Sequence, residues 1–312
     1  MRILFMGTPE YALFSLRALC DAGEQIVGVV TQPDKPKGRG YELTPPPVKV
    51  FATERGIPVY QPQTLRNGAF DAELAALAPD LIVVVAYGKI LPQSVLDLPK
   101  YGCINVHGSL LPEYRGAAPM QRAIIDGKTE TGVTTMQMAA GLDTGDMLVT
   151  VRTPIGENDN FEDIHDRLGE AGAVALTETL ARLRAGTLVA VPQEEAKATY
   201  AAKIEKADCL LDFSKTAKEL HDRIRGLSPF PLAFTRTPDG KMLKIPESRV
   251  GAKTLSAEVE PGTVVSLSDV IVVACGEGTT LELLRVLPEG KGRMSAADYI
   301  RGRRLSVGDR LG

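Results

Sequence analysis

Residues 81–88 read LIVVVAYG, and the first five positions carry no polar side chain. A strand made of them has no face to turn to water, so it must be covered on both sides. The neighbouring sequence supplies the cover. RILFMG (2–7), QIVGVVTQ (25–32), IPVYQP (57–62) and CINVH (103–107) read as further strands. Between them lie helical stretches at about 9–19, 47–56, 70–79 and 93–98. A helix at 119–127 and strands at 132–138 and 147–155 follow. A long helix is expected over about 161–184, because Ile164, Leu168, Ala171, Ala175, Leu176, Leu180 and Leu183 recur at helical spacing. Strand–helix alternation of this kind predicts an α/β layer with a largely parallel sheet.

The rest of the chain has a different rhythm. Residues 185–207 carry mixed charge with little periodicity and read as a connecting segment over the surface. Beyond it, LAFTRT (232–237), KMLKIPE (241–247), GTVVSLS (262–268), VIVVACGEG (270–278) and TLELLRVLPEG (280–290) are short strands separated by turn residues. Helices are expected at 216–227 and 295–303. Several short strands with turns between them suggest a small barrel. The expected division is therefore residues 1–188, a linker at 189–207, and residues 208–312.

No apolar run in the 312 residues approaches the length of a membrane span. The opening MRILFMGTPEYA has none of the marks of a secretory leader, so the expected location is the cytoplasm. Cys20, Cys103, Cys209 and Cys275 are widely spaced and read as free thiols. No HExxH and no Cys/His cluster supports a metal site. Net charge is −3, divided as −5 over residues 1–207 and +2 over 208–312. The C-terminal part thus permits contact with a polyanion without requiring it.

The chemistry gathers where the strand CINVH ends, in CINVHGSLLPEYRGAAP. Asn105 and His107 are two apart, so an extended chain turns both to one side. In open α/β sheets, sites lie at the carboxyl ends of strands. The turn AAGLDTGDMLV brings Asp143 and Asp146 after the strand GVTTMQM. Asp in a glycine-rich turn is usually a turn former. If the two strand ends are neighbours, however, a carboxylate at Asp143 can orient the imidazole and favour its charged form. Ser109 reads as a turn residue or a ligand hydrogen-bonder, since the nucleophile elbow GxSxG is missing. GTPEYA at Gly7 lacks the GxGxxG of a dinucleotide site. His165 and His221, flanked by charges in helical stretches, read as surface residues. The segment TQPDKPKGRGYELTPPP (31–47) carries Lys35, Lys37 and Arg39. It is either a solvated loop or a basic arm that orders on a phosphate backbone.

GTPEYA, QPDKPKGRG, VVVAYGKILP, GCINVHGSLLPEYRGAAPMQ and TGVTTMQMAAGLDTGDML occur together and in order between Gly7 and Leu148. With them the sequence resembles the 10-formyltetrahydrofolate-dependent formyltransferase family, and within it the methionyl-tRNA formyltransferases. The resemblance implies a Rossmann-like formyltransferase domain followed by an OB-like β-barrel domain that contacts tRNA. It implies transfer of a formyl group from 10-formyltetrahydrofolate to the α-amine of methionine on initiator methionyl-tRNA, with no metal and a monomeric chain. The family's catalytic trio falls on Asn105, His107 and Asp143. Its folate site falls on Ser109, Leu110, Leu111 and Pro112, and on the turn with Tyr87, Gly88, Ile90 and Leu91. Its tRNA-contacting insertion falls on Lys35, Lys37 and Arg39. Tyr114 and Phe230 stand where many relatives have Trp, which this chain lacks. Amino-sugar nucleotide formyltransferases and formyltetrahydrofolate hydrolases share the N-x-H and SLLPxYRG elements. The basic loop and the second domain favour tRNA over their substrates. A non-enzymatic RNA-binding protein is the remaining alternative, and the polar trio argues against it.

Overall fold

The structure is a computed structural model that describes residues 1–37, 42–252, 254–256, 258–302 and 304–312. By contact the chain divides into two compact units. The first comprises Met1–Gly116, Thr131–Thr153 and His165–Tyr200. The second comprises Ala117–Glu130, Pro154–Ile164 and Ala201–Gly312.

The sheet of the first unit is assembled from β1 (Arg2–Gly7), β2 (Gln25–Val30), β5 (Val59–Tyr60), β6 (Leu81–Val85), β7 (Cys103–His107), β9 (Glu130–Gln137) and β10 (Met147–Pro154). Its order is β10-β9-β7-β6-β1-β2-β5. The β1–β2, β1–β6, β2–β5 and β6–β7 pairs are parallel, and β7–β9 is antiparallel. All five side chains of β6 are buried, as an uninterrupted apolar run requires. Helices α1 (Tyr11–Asp21), α2 (Pro47–Glu54), α3 (Asp71–Leu77) and α4 (Gln93–Leu96) occupy the crossovers. The long helix α6 (Phe161–Ala185) begins at Asn160, whose side-chain oxygen accepts from the Glu162 and Asp163 amides at 2.7 and 3.2 Å.

Residues 31–47 are not wholly irregular. β3 (Lys35–Lys37) and β4 (Glu42–Thr44) pair antiparallel, Lys35 opposite Thr44. Lys35 is exposed, and Arg39 lies outside the described residues. Two further short strands, β8 (Arg115–Gly116) and β11 (Tyr200–Ala201), form a two-stranded ribbon.

The second unit holds α5 (Pro119–Ile125), α7 (Ala217–Gly226) and α8 (Ala296–Arg301). Its antiparallel sheet has the order β12 (Ala233–Arg236), β13 (Met242–Val250), β16 (Thr280–Pro288), β15 (Ile271–Ala274), β14 (Val264–Leu267), with β17 (Met294–Ser295) on β16. A capping box starts α7: the Thr216 amide donates to Glu219 Oε2 at 2.8 Å, and Thr216 Oγ1 accepts from the Glu219 amide. Leu220, Ile224 and Leu227 then face the sheet residues Phe234, Ile245, Val273 and Leu283 in one core. All four cysteines are free thiols.

Two histidines depart from the expected surface positions. His165 packs against the rings of Tyr11 and Phe14, the former at 5.5 Å between centroids. His221 is 6% exposed. Its Nε2 donates to the Glu157 carbonyl at 3.1 Å, and Nδ1 lies 3.1 Å from Ser248 Oγ. The charged neighbours read as a solvated face are themselves inside the network: Asp222 is 3% and Arg225 5% exposed, and Lys218 pairs with Asp222. Burial pushes the His221 pKa below its ordinary value, with Arg225 and Lys218 acting the same way against Asp222 and the Glu157 carbonyl. A histidine held neutral in the folded state binds its proton more readily when unfolded. Its contribution is therefore intact above about pH 6.5 and is lost as pH falls toward the lowered folded value. Urea unfolding from pH 7.5 to 5 should show wild type losing more stability than His221→Gln across that window. Parallel losses would assign the pH dependence to other groups.

Candidate active site

β7 lies between β6 and β9, so what leaves its carboxyl end is framed by the ends of two neighbours. Asn105 and His107 are on one side of the strand, opposite Met136 and Thr134 of β9. His107 is buried, and Asn105 is half-buried. Among the described residues the Asn105 side-chain amide has no hydrogen-bond partner. Its two N–H donors are therefore uncommitted, on a strand rigid enough to aim them.

His107 is differently placed. Its Nε2 is 3.0 Å from the Tyr114 carbonyl oxygen. A carbonyl only accepts, so Nε2 carries a hydrogen and donates. The ring is thus oriented by Tyr114, leaving Nδ1 as the free nitrogen. Nδ1 lies 3.7 Å from Asp143 Oδ2. That separation supports an electrostatic interaction but is too long for a direct hydrogen bond. Asp143 Oδ2 accepts from the Gly116 amide at 2.8 Å. Asp143 holds φ 53°, a left-handed value that Asp tolerates better than most side chains. Beside it, Gly145 is required for close approach: a Cβ there would run into the Gln137 carbonyl.

The loop after β7 is held by its own polar groups. Ser109 is fully buried, and its hydroxyl donates to the Glu113 carbonyl at 2.6 Å. Thr134 Oγ1 donates to the Ser109 carbonyl at 2.8 Å and accepts from the Leu111 amide at 3.2 Å. The hydroxyl hydrogen of Ser109 is therefore spent within its own turn. Leu111 is buried, Leu110 is half-buried, and the Leu111–Pro112 peptide is cis.

At the end of β6 the chain turns through left-handed Ala86 and Gly88, at φ 47° and 79°. Gln32 Nε2 pins this turn by donating to the Tyr87 and Gly88 carbonyls at 3.0 and 3.2 Å. Tyr87 and Leu91 are buried, whereas Ile90 is 84% exposed. The Tyr87 hydroxyl is buried with no partner among the described residues, and burial raises its pKa to about 12. Lys89 Nζ donates to the Pro62 and Gln63 carbonyls at 2.8 and 2.9 Å. Burial, and then the charge of Lys35, lower its pKa.

One group of residues escaped the sequence reading. The Gln193 amide donates to the Asp143 and Gly145 carbonyls at 2.8 and 2.7 Å. Gln193 Oε1 accepts from Arg115 Nε at 3.0 Å, and Arg115 also pairs with Glu195. Gln193 sits in a stretch without periodicity, and nothing in the sequence ties it to a loop fifty residues earlier.

Residues 1–180 match the family described as formyl transferase, and residues 203–304 match the formyl transferase C-terminal domain. The chain is 52% identical to the methionyl-tRNA formyltransferase of Geotalea uraniireducens over 314 aligned residues, covering all of this chain and 98% of that one. It is 50% identical to the methionyl-tRNA formyltransferase of Bacillus subtilis, again over all of this chain and 98% of the relative. Among solved structures it is similar in fold to WlaRD, a sugar 3N-formyl transferase crystallised with dTDP and 5-N-formyl-THF. There the TM-score is 0.68 at 17% identity, over 94% of this chain and 99% of that one. It is also similar to HypX from Aquifex aeolicus in complex with tetrahydrofolic acid, with a TM-score of 0.63 at 18% identity, over 96% of this chain and 47% of HypX. The two family matches and the full-length identity to these enzymes establish that the chain belongs to the methionyl-tRNA formyltransferase family.

Proposed function

We propose that this chain transfers the formyl group of 10-formyltetrahydrofolate to the α-amine of methionine on initiator methionyl-tRNA. The observation that carries the reading is the free Asn105 amide beside the facing His107–Asp143 pair. The residues present fit a folate. Asn105 is an unspent donor, and the turns Tyr87–Leu91 and Ser109–Pro112 follow adjacent parallel strands. When bound, the folate would supply an activated formyl carbon: the amine–carbon bond forms, the carbon–N10 bond breaks, and the proton shed by the amine is returned to N10 as tetrahydrofolate leaves.

Asn105 would meet the negative charge that grows on the formyl oxygen as the amine attacks. A preorganised donor of that kind commonly contributes about a hundredfold or more in rate. His107 holds its Nε2–H on Tyr114 and presents Nδ1 to Asp143. As an imidazolium it can give a second hydrogen bond from Nδ1; as a neutral ring it can accept the proton the amine sheds. Asp143 balances the charge of the imidazolium, and with the ring already charged its Oδ1, without a partner among the described residues, can receive that proton through water instead.

The antiparallel strands of the second unit are read as an OB-like barrel that contacts tRNA, supported by the positive balance of residues 208–312. Lys35, Lys37 and Arg39 are read as phosphate contacts on the acceptor arm, supported by the exposed Lys35 of the β3–β4 hairpin. A monomer in the cytoplasm accords with these partners. Among the described residues no helix is long and apolar enough to cross a membrane.

The test offers labelled formyl donor to the purified chain with methionyl initiator tRNA, and separately with an amino-sugar nucleotide. Label in the tRNA is the expected result. Label only in the sugar overturns the acceptor assignment, and folate consumed with no label in either identifies a hydrolase.

A further inference from the structure

The segment that the sequence presents as a connector carries hydrogen bonds to both loops that support the site. Val191 and Met147 exchange backbone hydrogen bonds at 2.9 Å each way, beside the Asp143 turn. Gln193 spans the Asp143 and Gly145 carbonyls with its two N–H donors. Thr199 then holds the other loop: its hydroxyl accepts from the Tyr114 amide at 2.8 Å, its carbonyl accepts from the Arg115 amide at 2.9 Å, and its amide donates to the Pro112 carbonyl at 3.3 Å. Tyr114 is the residue whose carbonyl orients His107. Arg115 ties the two anchorages together. It is 1% exposed, donating from Nε to Gln193 Oε1, while Nη1 pairs with Glu195 at 2.9 Å. Asp143 lies on one loop, and Tyr114, whose carbonyl orients the His107 ring at the end of β7, lies on another; residues 191–199 bridge those two loops.

We propose that residues 191–199 form a positioning strap for the active site, with Gln193 its principal positioning residue and Arg115 its buried anchor. This rests on the reading of Asn105, His107 and Asp143 as the reacting groups. Among the described residues Gln193 makes no hydrogen bond to the side chains of Asn105, His107 or Asp143. It acts by fixing the backbone of Asp143, whose φ of 53° is otherwise costly, and so fixes where the carboxylate meets His107. Both of its donors are used and its oxygen accepts once, so no other side chain of that length reproduces the fork. Misplacing a reacting group by an ångström costs rate far more than it costs binding.

The test uses the full chain with Gln193→Glu and Gln193→Ala. The first keeps the acceptor for Arg115 but sets carboxylate oxygens against two carbonyls; the second removes the fork. Two readouts are taken: steady-state formylation of methionyl initiator tRNA, and hydrogen exchange in peptides covering residues 139–146. Both variants should lose about tenfold to a hundredfold in kcat. KM for the folate and for the tRNA should stay within about twofold. Exchange in 139–146 should rise while β6 and β7 stay protected. A kcat within about twofold of wild type overturns the strap, as does a loss confined to KM. Unchanged exchange in 139–146 overturns it as well. If wild type does not formylate methionyl initiator tRNA, it is the functional reading that falls, and the exchange data still decide whether Gln193 holds the turn.

Discussion

Asp143→Asn should lower kcat by about a hundredfold to ten-thousandfold while the protein melts near the wild-type temperature. The substitution is nearly isosteric, and an asparagine oxygen can still accept from the Gly116 amide that Asp143 Oδ2 now binds at 2.8 Å. Gln193 reaches the backbone carbonyl of the residue, so that support survives too. What disappears is the negative charge 3.7 Å from His107 Nδ1 and the capacity to take up a proton. A charged His107 would stand uncompensated, and the amine's proton would lose its nearest carboxylate. Asp143→Asn thus separates charge from anchoring. Unchanged turnover would reduce Asp143 to a turn residue, the ordinary role of Asp in such loops. Loss of activity together with a large drop in melting temperature would mean the turn itself had collapsed.

The parts of the fold set by repetition could be read from the residues. LIVVV at 81–85 has only one kind of environment open to it, and the strand is buried at every position. The apolar period of α6 and the alternation of short strands with turns after residue 230 were equally plain, because periodic burial leaves a periodic trace. Asn105 and His107 stood out because polar side chains two apart at the end of a strand conflict with their surroundings. Their partners did not. The group that orients His107 is a backbone carbonyl at Tyr114, and carbonyls have no letter in a sequence. Gln193 is one glutamine in an aperiodic stretch, joined to Arg115 across 78 positions. His221 was misread for a related reason. Lys218, Asp222 and Arg225 look like a solvated face, yet Asp222 and Arg225 neutralise each other inside the unit, and Arg225 also donates to the Gly156 and Asp159 carbonyls. Charge rules out burial only when it is unpaired.

Asn105→Ala should lower kcat by about a hundredfold or more, with less change in stability than any other substitution in the site. The reason is its lack of partners. Removing Ser109, Thr134 or Gln193 strands a buried carbonyl or amide, which costs about 1–3 kcal/mol per group. Removing the Asn105 amide strands nothing among the described residues. A half-buried amide held at a strand end with both donors unspent contributes little to folding. Its use lies in a state this chain does not reach alone, when negative charge appears where the donors point. Asn105→Asp sharpens the point. It keeps the shape, replaces the donors with acceptors, and adds a second carboxylate to a site that already holds Asp143. Its kcat should fall below that of Asn105→Ala, since an electrostatic clash with the developing charge is worse than an empty space. If Asn105→Asp turned over faster than Asn105→Ala, the oxygen of residue 105 rather than its N–H groups would be the functional atom. The formyl oxygen would then have to find its stabilisation at His107 alone.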